Sequence, residues 1–298
     1  MPWEDNSPST RDCAISRTPG QRMMFEQQLN NFKNSHPRLP ILIIFAASNK
    51  SRKVIADMTN EIVQFAKLFG NQMVFVAFGT DESEESSIAD QLLQTSAVLR
   101  EANVLHRVQH TKNLERWTRI ALRGYLNDFE AAVILRGVIC ATDLTRLVMQ
   151  TIENGAGIAC AVDVTFTGHH LIASNSFNLD RITGNVIPTE RLLRSRSLLQ
   201  TGCCDGSVKV VTYRALRPSL SQRCRNARWC SEGGTSDSDC GDCLSSAKVM
   251  ISPSVKSSSD PDDFRSAMQL GFTNLQGFDY STVNWEDSEE WETCAGSI

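Results

Sequence analysis

The apolar positions of the chain fall into short unbroken runs that alternate with stretches of helical spacing. "PILIIFAAS" (40–48) is a short run with no polar alternation, and it predicts a strand buried on both faces. "KVIADMTNEIVQFAKLFG" follows, with Val54, Ile55, Met58, Ile62, Val63, Phe65, Ala66 and Phe69 on one stripe and Gly70 as the stop. "QMVFVAFG" predicts a second buried strand and "SIADQLLQTSAVLREAN" a second helix ending near Asn103; "VLHRVQH" predicts a short third strand. "ERWTRIALRGYLNDF" has helical spacing, and "AAVILRGVIC" is another buried run. "TDLTRLVMQTIENGAG" predicts a helix with Thr142 as N-cap and Gly155 as stop. "IACAVDV" predicts a strand that ends close to Asp163, with "SVKVVTYRAL" and "AKVMISPSV" as later strands.

Strand and helix alternate through this order, which predicts an α/β fold with a mostly parallel sheet flanked by helices. Such sheets bind ligands at the carboxyl ends of their strands. The loops "SNKSR" (48–52) and "GTDESEESS" (79–87) are therefore the first candidates for a site. The second crowds Asp81, Glu82, Glu84 and Glu85, a pattern that also suits an ordinary solvated loop.

The expected division is a mobile arm over 1–37, an α/β domain over 38–256 and a disordered acidic tail over 257–298. The arm is polar and broken by Pro2, Pro8, Pro19 and Pro37, with a short helix around "QRMMFEQQLNNFK". Charge marks the other end. Residues 260–298 carry nine acids against Arg265 alone, a net of -8, so with -4 for the whole chain residues 1–259 carry +4. Residues 181–228 hold nine arginines and Lys209 against Glu190 and Asp205. Arg191, Arg194 and Arg196 there could clamp a diphosphate, or line a solvated basic loop. Nucleic acid is not the expected partner, because Tyr213 and Trp229 are the only aromatic residues in or beside that stretch.

Six of the ten cysteines (Cys203, Cys204, Cys224, Cys230, Cys240, Cys243) lie within 41 residues. Their spacing is not that of a zinc finger, which leaves disulfides, free thiols or a metal open. No stretch reaches the ~20 apolar residues of a membrane span. The N-terminus lacks the apolar core of a signal peptide, so the chain reads as soluble. There is no phosphate-binding glycine loop, zincin helix or nucleophile elbow.

Several segments, in order from about Pro40 to Val255, resemble the fungal capsule-associated glycosyltransferases, the cryptococcal α-1,3-mannosyltransferase group. They are "ILIIFAAS", "GNQMVFVAFGTDESEESS", "LREANVLHRV", "GAGIACAVDV", "GCCDGSVKVVTYRAL" and "SDSDCGDCLSSAKVMISPSV". The resemblance implies a GT-A-like, Rossmann-like domain with an irregular basic and Cys-rich C-terminal part. It implies transfer of a sugar, mannose in the group's type case, from a nucleotide-sugar donor such as GDP-mannose to a glycan or small-molecule acceptor. It implies a divalent metal, Mn2+ or Mg2+, on the diphosphate, because the leaving group gains negative charge. Asp163 is then the catalytic carboxylate and, with His169, the metal ligand; Ser48, Asn49, Asp81, Glu82, Arg119 and Asp205 are the donor-binding set. Read from the residues alone, Asp163 is equally a strand-terminal acid that hydrogen-bonds locally, and His169 and His170 are equally surface residues. The family suggests the Golgi or secretory pathway.

The chain also departs from the family. Where the family ends a strand in Asn-Asp, this chain reads Leu135-Arg136-Gly137. A glutamate of the second loop is replaced by Thr80, and of the Arg-Asn dipeptide only Arg119 has a clear counterpart. A single carboxylate rarely holds a hard divalent cation alone. These losses keep a second expectation alive, a non-catalytic descendant of the fold that acts as a binding or regulatory partner.

Overall fold

The computed structural model describes residues 19–47, 52–81, 85–111, 117, 121, 128–167, 170–173, 198–201, 207–213 and 248–269. The strands are β1 (Ile41–Ala47), β2 (Val74–Asp81), β3 (Leu105–Thr111), β4 (Ala131–Leu135), β5 (Ile158–Thr167), β6 (His170–Ala173), β7 (Leu199–Gln200), β8 (Val208–Thr212) and β9 (Val249–Ser257). The helices are α1 (Pro19–Ser35), α2 (Arg52–Phe69), α3 (Glu85–Glu101), α4 (Ala141–Glu153) and α5 (Pro261–Gln269).

The strands form one mixed sheet in the order β3-β2-β1-β4-β8-β5-β9-β7, with β6 paired to β5. Pairings β1–β2, β1–β4, β2–β3 and β5–β9 are parallel. Strand β8 runs antiparallel to β4 and β5, β6 to β5, and β7 to β9. The expected α/β architecture, a mostly parallel sheet flanked by helices, is therefore the one observed.

The apolar runs became strands because they have no polar residue to offer solvent. Ile41 to Phe45 are at most 1% exposed. One face of β1 (Ile41, Ile43, Phe45) joins Val74, Val76 and Phe78 of β2 and Val133 and Leu135 of β4 in the main core. The stripe of α2 closes that core with Ile55, Met58, Ile62, Phe65 and Phe69. Leu144, Leu147 and Val148 do the same from α4. After α3, Asn103 takes a left-handed turn (φ 56°), which matches the stop expected there. Gly79, at the far end of β2, lies under the Trp117 ring, and a Cβ there would overlap that ring.

Three boundaries differ from expectation. Helix α1 lies inside the stretch expected to be a mobile arm, yet Phe25, Leu29 and Phe32 are buried in the core. At the other end β9 runs on to Ser257, and α5 packs Phe264 into the core from within the stretch expected to be an acidic tail. Asp260 stabilises the start of α5 by accepting the Asp262 N–H at 2.7 Å. Finally, α4 begins two residues early, with Cys140 rather than Thr142 in the capping position.

Strand β9 also bulges. Ala161 pairs with Ser252 but Val162 pairs with Lys256, so residues 253–255 have no partner in β5. Pro253 sits in that bulge, where a missing N–H costs no ladder bond. Gln150 of α4 holds the bulge, accepting from Ser252 Oγ at 2.6 Å.

Candidate functional site at the strand ends

The strand order reverses between β1 and β4, and crevices at such reversals are where α/β sheets bind ligands. Strand β1 ends there at Ala47, and β4 ends beside it, with Phe45 paired to Leu135. Arg136 follows directly, half-buried, its N–H donated to Ser207 O at 2.8 Å. The next two residues are packed tightly. A Cβ on Gly137 would overlap Ser207 Oγ and Ser258 O. Val138 and Ser258 exchange backbone hydrogen bonds at 2.7 and 3.1 Å.

Asp163 lies two strands away, at the last residue of β5 that pairs with β9, and is 8% exposed. Its Oδ2 accepts the Ser207 N–H at 2.6 Å, and its Oδ1 accepts Ser207 Oγ at 2.6 Å. Ser257 Oγ donates to the same Oδ1. One carboxylate therefore ties together the start of β8, the end of β9 and its own strand. A buried carboxylate is only tolerable with such donors around it. Lys256, beside Ser257, is also buried and donates to Pro253 O. Burial pushes its ammonium down to about 8, against the opposing pull of Asp143.

A second carboxylate is buried nearby in the helix layer. Glu61 of α2 is 2% exposed and accepts the Ala141 N–H at the start of α4 at 2.6 Å through Oε2. Its Oε1 has no hydrogen-bond partner among the described residues. Burial raises its pKa from 4.5 to about 7; the Ala141 bond lowers it, while Asp143 and Asp57 raise it further.

Of the residues singled out from the sequence, Asp163 is placed in full and Asp81 by its backbone, at the end of β2. Ser48, Asn49, Glu82, Arg119, Asp205 and His169 lie outside the described residues. Asp81 and Asp163 do not meet. Strands β1, β4 and β8 separate β2 from β5. Four strand spacings of about 4.8 Å put the two strands roughly 19 Å apart. Ser207, Ser257 and Glu61 were missed. The serines gave no signal, since they come to Asp163 from 44 and 94 residues away.

The described residues do not fit a divalent cation. A hard cation needs several free oxygen ligands. Both oxygens of Asp163 already accept protein donors. Among the described residues no three His, Cys, Asp or Glu side chains are grouped to hold a metal. None of the described helices is long and apolar enough to cross a membrane. Cys140 and Cys160 are each disulfide-bonded.

These features define an α/β domain whose strand order reverses between β1 and β4, with a buried polar clasp two strands away on β5. No protein-family model matches the chain, and no curated protein matches it by sequence. In fold it is similar to S. aureus TarS 1-349, at TM-score 0.48 and 14% identity over 78% of this chain and 64% of that one. It is similar to the same protein solved with UDP-GlcNAc, at TM-score 0.48 and 10% identity over 77% and 61%. It is also similar to GalNAc-T7 solved with UDP, GalNAc and Mn2+, at TM-score 0.48 and 9% identity over 74% and 43%. The chain spans less than two thirds of each of these structures.

Proposed function

We propose that this chain is a glycosyltransferase-like protein that binds a nucleotide-sugar donor in the crevice between β1 and β4. The observation that carries the reading is the reversal of strand order at that point, with Arg136 directly after β4 and the segment from Ser48 directly after β1 in sequence. The resemblance of the ordered segments supplies the donor class, with GDP-mannose as the first candidate and a glycan or small molecule as acceptor. The disulfides of Cys140 and Cys160 suit an oxidising compartment, in keeping with a secretory route.

A second form of the reading, donor binding without transfer, is favoured by the clasp. Asp163 is the carboxylate expected to act on the donor, and its oxygens are committed to Ser207 and Ser257. Calorimetric titration of the full chain with GDP-mannose and UDP-GlcNAc tests both forms together. Saturable binding of either supports the proposal, and binding of neither removes it. A donor-turnover assay on the same protein then separates transfer from binding alone.

A further inference from the structure

We infer that Cys160 is cross-linked to Cys203 or Cys204, and that this disulfide holds Ser207 in place against Asp163.

Cys160 is disulfide-bonded and 1% exposed in β5. Its neighbours Ala159 and Ala161 belong to the core under α4, so strand alternation turns Cys160 to the opposite face of the sheet. Cys140 belongs to the α4-side core, with the sheet between it and Cys160. The two cannot bridge each other, because a disulfide needs Cα atoms within about 7 Å and side chains turned together. The partner of Cys160 is therefore one of the other cysteines of the chain.

Reach selects among them. Thr201 donates its N–H to Val249 O at 3.1 Å, on the outer side of β9. Ser207 stands at the head of β8, and only residues 202–206 lie between. Three strand spacings separate β7 from β8, about 14 Å. Along the strands, Val249 is level with Ile158 and so with Val211, and the step from there to Ser207 adds about 13 Å. The two ends are then roughly 20 Å apart on the diagonal, and the chain between them reaches ~20–22 Å when fully extended. A route around the edge of the sheet, at about 28 Å, is too long.

The join therefore has to cross β9 and β5 directly. It cannot do so on the α4 side, where Ala159, Ala161, Val210 and Met250 share a core with Leu144 and Leu147. The other face is the one to which Cys160 points. Half-way along the diagonal lies the Cys160–Ile251 pair, and in the middle of the join lie Cys203 and Cys204. The same join delivers Ser207, whose N–H and hydroxyl both donate to Asp163. A cross-link at Cys203 or Cys204 leaves no more than three residues free before Ser207, so a covalent bond on one face of the sheet fixes the polar clasp on the other.

The test is a tryptic map of the full, unreduced chain with its free thiols blocked by iodoacetamide. Cleavage after Arg136, Arg146, Arg181, Arg196 and Lys209 puts Cys140 on peptide 137–146, Cys160 on 147–181, and Cys203 with Cys204 on 197–209. Mass spectrometry should find 147–181 joined to 197–209. Peptide 147–181 without 197–209, whether joined elsewhere or blocked at Cys160, overturns the cross-link. Hydrogen exchange under mild reduction with TCEP tests the holding role. The Ser207 amide should then exchange about 10-fold faster or more, relative to the amides of β1. Equal acceleration of both, or of neither, overturns that role. Both measurements use the unaltered protein, so neither depends on a variant that folds.

Discussion

Two buried carboxylates make an instructive pair. Asp163 ties the strands together by accepting from Ser207 N–H, Ser207 Oγ and Ser257 Oγ. Glu61 stands in the helix layer with one, from Ala141 N–H, and an oxygen with no partner among the described residues. Both are 8% exposed or less. What separates them is the number of donors around each. Asp163 is an organising centre. Glu61 is held well above the ordinary carboxylate range, at about 7, chiefly by its burial. Burial alone therefore says little about what an acid does, and the donors facing it say much more.

The sharpest way to break this contrast is Asp163→Ala. It leaves the Ser207 N–H and two hydroxyls without their acceptor in a buried place. At roughly 1–3 kcal/mol for each unsatisfied group, with hydroxyls free to turn elsewhere, the expected loss is ~4 kcal/mol. Asp163→Asn should recover little of it, because an amide offers a donor where donors already converge. Urea denaturation measures both. A loss below about 1 kcal/mol for the alanine variant would mean that the clasp does not hold the three strands.

Glu61 should behave in the opposite sense. Its folded pKa, about 7, lies above the unfolded value of 4.5, so between those pH values the folded chain binds more proton than the unfolded chain. The contribution of Glu61 to stability is then fully present below pH 4.5 and is lost as pH rises through 7. A shift of this size corresponds to a swing on the order of 3 kcal/mol. Glu61→Gln cannot titrate and should remove the swing. Thermal unfolding from pH 4.5 to 8 would show the two proteins diverging across that window. Parallel curves would show that Glu61 does not carry this pH dependence.

This pair also shows what a linear reading of the chain can reach. Strands β1, β2 and β4 were legible because they are short apolar runs, and α2, α3 and α4 because their stripes have helical spacing. Asp163 stood out as an acid closing such a run. Its partners did not, because Ser207 and Ser257 become neighbours only once β8 and β9 have docked on either side of β5. Glu61 did leave a trace. It lies three residues after Met58 and four before Phe65, on the apolar stripe of α2, where a polar residue has to be buried. The same spacing in Phe25, Leu29 and Phe32 marks α1 as a packed helix, although prolines and polar neighbours suggested a mobile arm.

The smallest expected effect concerns the contact that ties α5 to α2. Arg265 donates to Asp57 Oδ2 and to Asp262 Oδ1, each at 2.6 Å. The arginine side chain is 30% exposed, so solvent weakens the pair, and Asp57→Asn should cost only ~1 kcal/mol. Its pH dependence is the informative part. Asp57 is one of the charges that raise the pKa of Glu61. At pH 5 Glu61 is neutral in the folded chain, and the substitution costs the whole ion pair. At pH 8 Glu61 is ionised, and removing the charge of Asp57 relieves a repulsion that offsets part of the loss. The cost of Asp57→Asn should therefore be smaller at pH 8 than at pH 5. In a Glu61→Gln background it should be the same at both, because no second charge is left to relieve. A cost that stays constant with pH in the unaltered background would show that Asp57 and Glu61 are not coupled.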